Sequence, residues 1–372
     1  KANGAATNNG LNVPNLYTTA NSRDAASIFN DRVEERYNAV FTRGSVGFRK
    51  FLYGEFTLRN DWFSTLPPAN NDVLSKSFGL SFVFSDLIRE ATPWLSNGKL
   101  RASWGEIPQT LGTGTTFGAY VYPGMAYGVG QFQWNGNFLM GTPNGLVDSS
   151  IRGAVSQQKE IGLDLEFMNG RAGLSVTYWD GSEKDFPRAV SVNGASGFTS
   201  KLINTGLITK KGIEIKANGR PVWLPNFKWE ISGTYGRLLE NKVVEIAPGT
   251  SRITVQGVWG ATMPYLVHEE GKEWGQIYGN GIKRLNGRPI LASDGSYVND
   301  PNVFFGSVLP KFTGGLQNSF QFLKHFTANV NIDFQYGGKF ASLSNMWGSY
   351  SGLTARTATT NDLGNPIRDA VA

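Results

Sequence analysis

Three carboxylates stand close together at Glu160, Asp164 and Glu166, inside the stretch KEIGLDLEFMNGRAGLSVTYWD at residues 159–180. Paired carboxylates are the equipment of glycoside hydrolysis, where one acid protonates a leaving group and a second works across the scissile bond. The spacing argues against that chemistry here. All three positions are even, so on a strand they point the same way and line one wall instead of facing each other across a cleft. Lining a polar surface is the role this pattern predicts, with Arg101, Lys99, Lys228 and Lys216 available on adjoining strands to offset the charge.

Other reaction chemistry is scarce. The two histidines, His268 and His325, are too few for a zinc cluster or a His-based triad, and the absence of cysteine removes thiolate ligands, disulfides and cysteine nucleophiles. The glycine run GTGTTFG at 112–118 follows a strand but opens no helix, as a phosphate loop must. Asp294, Gly295, Ser296 and Asp300 have a calcium-loop flavour without the alternating acids and terminal Glu of an EF-hand. We therefore expect no catalytic residue, no resident metal and no cofactor. Binding is the better prospect. Tyr122, Tyr127 and Trp134, with Tyr120 and Phe132, fall in one long unpatterned segment; Trp259, Trp274 and Tyr278, with Tyr265, fall in another. Flat rings among Asn, Gln and Gly suit the faces of sugars or peptides.

The elements that must position these groups are strands. Ile161, Leu163, Leu165 and Phe167 alternate with the acids, Asn169-Gly170 offers the positive-φ pair of a type I′ turn, and Ala172, Leu174, Val176 and Tyr178 continue the apolar face on the return. The same alternation recurs around 38–48, 52–58, 77–84, 99–104, 212–217, 228–235, 312–322 and 326–335, giving about ten strands. A hairpin with one apolar and one polar face fits either a soluble β-sandwich or the wall of a membrane barrel. Connections decide between them: they alternate between short (near 49, 86–98, 169, 219–226, 324) and long (60–75, 105–156, 181–210, 236–310). Short periplasmic turns and long extracellular loops sort in this way in a spanning barrel. Several strands have the roughly 9–12 residues needed to cross a bilayer when tilted. Tyr and Trp near strand ends fit an interfacial girdle.

Composition agrees, with 17% charged residues, 13% aromatic residues and 46 glycines. The net charge of +6 comes from 35 scattered cations interleaved with 29 acids, which argues against a nucleic-acid partner. Residues 1–36 read as a polar loop with a short helix near 24–29. Neither end reads as a natural terminus, so the chain is expected to be an internal piece of a longer protein.

Three stretches resemble the SusC/RagA family of TonB-dependent outer-membrane transporters: LINTGLITKKGIEIKANG at 202–219 after Ser196-Gly197-Phe198, SQQKEIGLDLEFMNGRAGLSVTYWDGSEKD at 156–185, and LPKFTGGLQNSFQFLKHFTANVNIDFQYGGK at 309–339. LRASWGEI at 100–107 is similar more loosely. The resemblance implies an all-β, antiparallel transmembrane barrel of 22 strands, of which residues 1–372 would be the later portion, with long loops 105–156 and 236–310 and the plug outside this chain. It implies a nutrient importer in the outer membrane of a Bacteroidetes-like Gram-negative cell. Oligosaccharide or peptide would be captured with a SusD-like surface lipoprotein and released when TonB acts on the plug. Arg101, Glu160, Asp164, Glu166, Glu214, Glu230 and Asp333 would then line the lumen. The alternatives are a soluble extracellular glycan-binding or adhesin-like β-sandwich and a β-propeller or sandwich hydrolase.

Overall fold

The computed structural model describes the chain apart from residues 1, 32–35, 112–127, 136, 142–144, 258–263, 361–363, 365 and 367–372. It divides into two compact units, Lys1–Phe167 with Thr177–Thr209, and Met168–Val176 with Lys210–Ala372. Strands dominate both.

The first unit opens with β1 (Ala2–Leu11) and β2 (Ser22–Asp31), an antiparallel hairpin where the sequence reads as loop and helix. β1 is rich in Asn and Gly, and β2 in Ser, Ala and Asp, so neither carries much hydrophobic period. Their turn is held instead by buried Asn21, whose side-chain nitrogen donates to the carbonyls of Val13 and Leu16 while its oxygen accepts from the Val13 N–H. Then come β3 (Tyr37–Phe48), β4 (Leu52–Phe63), β5 (Asp72–Val83), the one-turn helix α1 (Ser85–Ile88) and β6 (Leu95–Pro108). The segment expected to be an unpatterned loop holds a hairpin, β7 (Gly128–Trp134) and β8 (Asn137–Gly141), and the short β9 (Gly145–Val147) before β10 (Val155–Phe167). β11 (Ala172–Ser191) and β12 (Ser200–Leu224) extend far into the expected 181–210 loop, leaving only 192–199 between them. Strands β3, β4, β5, β6 and β10 lie side by side, each antiparallel to its neighbour.

Register converts the alternation into two different faces. Val46, Gly54, Leu80, Ala102 and Ile161 form one cross-strand row, and Phe48, Leu52, Phe82, Leu100 and Leu163 the next. The opposite face carries Ser45, Glu55, Gly79, Ser103 and Glu160. The apolar face is open: Val46 is 71% exposed, Leu80 53% and Ile161 51%. Burying one such side chain stabilises by about 1.5–3 kcal/mol, so a full row of them in water would be very costly. The buried cluster lies elsewhere, where Leu66, Val73, Leu111, Ile151 and Leu202 pack together against Phe63 and Val147 at the ends of the strands.

In the second unit, the later part of β12 adjoins β13 (Phe227–Glu245), so the turn expected over 219–226 narrows to Pro225 and Asn226. The reversal at 168–171 is wider than the two-residue turn expected at Asn169-Gly170: Met168, Asn169 and Gly170 all have positive φ. The expected 236–310 loop is largely folded. β14 (Arg252–Gly257), β15 (Tyr265–Glu269) and β16 (Gln276–Ile282) are followed by a two-rung hairpin, β17 (Arg284–Leu285) with β18 (Arg288–Pro289), and by β19 (Asn299–Ser307). Four of them make an antiparallel sheet ordered β14-β15-β16-β19, and β17 pairs only with β18. Val243, Ile246, Val267 and Ile277 are buried here.

β20 (Pro310–Phe322) and β21 (Phe326–Gly337) complete the series of long strands, and a capped helix α2 (Leu343–Tyr350) follows. β13, β20 and β21 repeat the two-faced pattern. Gly233, Leu316 and Ile332 stand in one row, and Ser232, Gln317 and Asn331 in the opposite one. Asn318 breaks the apolar face, and Trp229 Nε1 donates to its side-chain oxygen at 3.1 Å. Among the described residues no helix is long and apolar enough to cross a membrane.

Candidate functional site

The acids of the opening stretch meet cations across the strand. Glu160 stands opposite Ser103, Gly162 opposite Arg101 and Asp164 opposite Lys99. Because Gly162 has no side chain, the Arg101 guanidinium lies over it and reaches both neighbours, 3.5 Å from Glu160 and 3.4 Å from Asp164. Lys99 Nζ is 3.1 Å from Asp164, and Arg101 also donates to the Thr177 hydroxyl. These groups are a quarter to a third exposed and face one another along one surface, so they can neutralise and orient but form no acid–base pair across a cleft. Glu166, opposite Asn97, is exposed on the same face.

The polar face of the second unit is richer in amides. Asn218, Ser232, Gln317, Ser319, Asn329 and Asn331 surround a shallow concavity of about 380 Å³, edged by the Arg220–Glu230 ion pair at 3.0 Å. Asp333 lies over Gly315, repeating the device of a polar side chain laid across a strand glycine. Glu214 is exposed on β12. Lys228 lies 4.8 Å from the centre of the Trp223 ring, which Arg220 also approaches at 5.0 Å. In the first unit Lys76 sits 5.6 Å from the Trp104 ring centre and pairs with Glu106 at 3.1 Å, while Trp104 stacks on Phe78. Aromatic rings under ammonium and guanidinium groups are the chemistry of a water–hydrocarbon boundary.

The ends of the long strands are braced. Asn204 accepts from the Arg152 N–H at 2.8 Å and donates to the carbonyls of Arg152 and Asp185 at 2.7 and 2.8 Å, and Arg152 pairs with Asp185 at 2.8 Å. Lys201 pairs with Asp148 at 2.8 Å, and the Ser150 hydroxyl and N–H donate to the same carboxylate. The Lys201 bond, then those from Ser150, hold Asp148 well below the usual carboxylate range.

Of the loop aromatics expected to bind substrate, Tyr122, Tyr127 and Trp259 lie outside the described residues, as does Tyr120. Trp134 ends β7, opposite Asn137. Trp274 is half-buried, its ring 5.0 Å from that of His268. Tyr278 stands between Tyr265 and Phe304, with ring separations of 6.4 and 5.5 Å, and Arg252 lies 4.6 Å above it. Burial, then the charge of Glu269, raises the Tyr278 phenol above its usual range. Sequence reasoning missed Arg252, Asn302 and Phe304, because β14 and β19 are short and irregular and offer no alternation to read. Asp294 accepts from the Ser296 N–H and hydroxyl, closing its own turn. Among the described residues no group of three His, Asp or Glu is placed to hold a metal.

A family model described as "TonB dependent receptor-like, beta-barrel" matches residues 3–363. The chain therefore belongs to that family and is an antiparallel β-barrel chain of the outer membrane, as its resemblance to TonB-dependent transporters implies. Among curated proteins, TonB-dependent receptor P3 of Formosa agariphila is 25% identical over 236 residues, 57% of this chain and 23% of that protein. TonB-dependent receptor P26 of the same organism is 24% identical over 199 residues, 48% of this chain and 19% of that one. The chain thus spans about a quarter or less of the relatives it matches. In fold it is similar to the RagAB peptide transporter, with a TM-score of 0.67, 17% identity and 86% of this chain covered against 36% of that one. The RagAB peptide importer in its "open-open" state gives a TM-score of 0.70 at 19% identity, covering 86% and 34%.

Proposed function

We propose that the chain is the barrel portion of a SusC-like TonB-dependent importer, which takes up oligosaccharides or peptides with a SusD-like surface lipoprotein and is driven by TonB through a plug segment. The single observation that supports this most is the contrast between faces: apolar rows left open on one side, and paired charges and amides on the other. In this reading the open rows face lipid, and Arg101, Glu160, Asp164, Glu166, Glu214, Glu230 and Asp333 face the lumen. Further strands of the barrel pair with the outer edges of β3 and β21, since an open edge in hydrocarbon leaves N–H and C=O groups unsatisfied at several kcal/mol each. The braced segments around Asp148 and Asn204 in the first unit, and separately the β14–β19 sheet in the second, are extracellular elements available to the lipoprotein. No covalent chemistry is involved.

The test is fractionation and uptake in the native cell. The full-length protein should sediment with outer membranes, co-purify with a surface lipoprotein, and support uptake of an oligosaccharide or peptide only while TonB is present. Recovery as a soluble monomer without detergent would overturn the reading.

A further inference from the structure

We propose that Arg252, Tyr278, Phe304 and Asn302 form a receptor for an acidic sugar, the carboxylate of a uronate unit bonding to Arg252 while its pyranose ring stacks on Phe304. The inference rests on the importer reading and narrows its substrate class.

Arg252 is the starting point. It is exposed at the beginning of β14, and its guanidinium carbon lies over the Tyr278 ring, 4.6 Å from its centre. Its hydrogen bonds are two long ones, 3.5 Å from each terminal nitrogen to the side-chain oxygen of Asn302. Among the described residues no ion pair holds it: Glu269 is its cross-strand partner in register, and the Tyr278 hydroxyl beneath it donates to Gln276 at 3.3 Å. A guanidinium offers five N–H donors in a rigid fork matched to a carboxylate. Here that fork sits over a ring at the surface, and among the described residues its only side-chain acceptor is Asn302.

The surroundings favour a sugar over a bare anion. Tyr265, Tyr278 and Phe304 are direct neighbours on three adjacent strands, so their rings form one continuous apolar strip. Phe304 is 52% exposed at the end of that strip. Asn302 is fixed beside the strip, its side-chain oxygen accepting from the Tyr265 hydroxyl at 2.9 Å, which leaves its side-chain nitrogen as a donor for a ligand hydroxyl. A pyranose presents a C–H face to the ring, a carboxylate in its own plane to the guanidinium and hydroxyls to the amide, so all three groups are used at once. A peptide carboxyl terminus would use Arg252 without needing Phe304.

The experiment measures binding of oligouronates (galacturonate, glucuronate and mannuronate series) and of their carboxyl-reduced counterparts to the purified full-length transporter. The proposal expects at least one oligouronate to bind, and its carboxyl-reduced counterpart to bind roughly 10- to 100-fold more weakly. Arg252→Gln should cause a loss of similar size and abolish the difference between the acidic and reduced forms. Arg252→Lys should recover only part of it, and Phe304→Ala should weaken both forms. Normal outer-membrane levels of each variant show that the barrel is intact. Uronate binding that Arg252→Gln leaves unchanged, or no uronate binding by a transporter that takes up other substrates, overturns the proposal while the importer reading stands. Arg252-dependent binding of a peptide carboxyl terminus that is indifferent to Phe304→Ala also overturns it. Absence of the protein from the outer membrane overturns both.

Discussion

The guanidinium of Arg101 lies flat across Gly162, with its carbon 2.6 Å from the point where a β-carbon of residue 162 would stand. The missing side chain is what lets one cation serve Glu160 and Asp164 together. Gly162→Ala should push the guanidinium aside and lower stability by about 1 kcal/mol, the scale of a partly exposed ion pair. The change would appear as a lower temperature for the heat-dependent gel shift of the folded barrel. Gly54→Ala, where nothing lies within 4 Å of the added carbon, is the matched control and should shift little.

Asn318 is a polar residue on an apolar face, and its partner is Trp229. Trp229→Phe keeps the ring but leaves the amide oxygen without that donor, at a cost of about 1–3 kcal/mol. The double variant Trp229→Phe, Asn318→Leu should recover most of the loss, because neither side chain then needs a bond. Urea unfolding from lipid vesicles measures the cycle, and additive losses would contradict it.

Asn204 ties the segment carrying Arg152 to β11 through three hydrogen bonds. Asn204→Ala removes all of them and should free that segment. Trypsin added to intact cells should then cut after Arg152 in the variant and leave the wild type whole.

Asp148 supplies a pH prediction. Its folded carboxylate is held below the ordinary range by Lys201 and Ser150, so the stabilisation is present above the unfolded value and is lost only as pH falls through the lower folded one. Proteolytic resistance of 148–154 should therefore be constant from neutral pH to about pH 4, the ordinary carboxylate pKa. It should fall only in stronger acid. Asp148→Asn should weaken it at every pH.

The long strands were legible in the sequence because each puts large apolar groups on one face and small or charged ones on the other. Tyr37–Phe48, Pro310–Phe322 and Phe326–Gly337 begin and end close to where the alternation does, whereas Leu52–Phe63 and Asp72–Val83 run into the expected 60–75 loop from both sides. What escaped was structure held by other means. The Ala2–Leu11 hairpin depends on Asn21 bonding to backbone, and Arg252–Gly257 and Asn299–Ser307 are strands whose pairing slips in register, so no steady alternation marks them. The ends of β11 and β12 were hidden by Gly181, Pro187 and Gly206, which read as loop residues although the paired backbone carries on through them. Lys99 and Arg101 beside Asp164 were foreseeable from strand order. Arg252 above Tyr278 was not, since 26 residues separate them and no pattern links the two.

The central claim is that neighbouring residues on one strand meet lipid and water in turn, and β21 tests it most directly. This chain has no cysteine, so once any cysteine elsewhere in the full-length protein is replaced, single cysteines can be placed at Val330, Asn331, Ile332 and Asp333. Each would carry a fluorophore in the full-length protein reconstituted in vesicles, with quenchers confined either to the lipid tails or to water. The account predicts lipid quenching at 330 and 332 and aqueous quenching at 331 and 333. The same response at all four positions, or the reverse alternation, would contradict it.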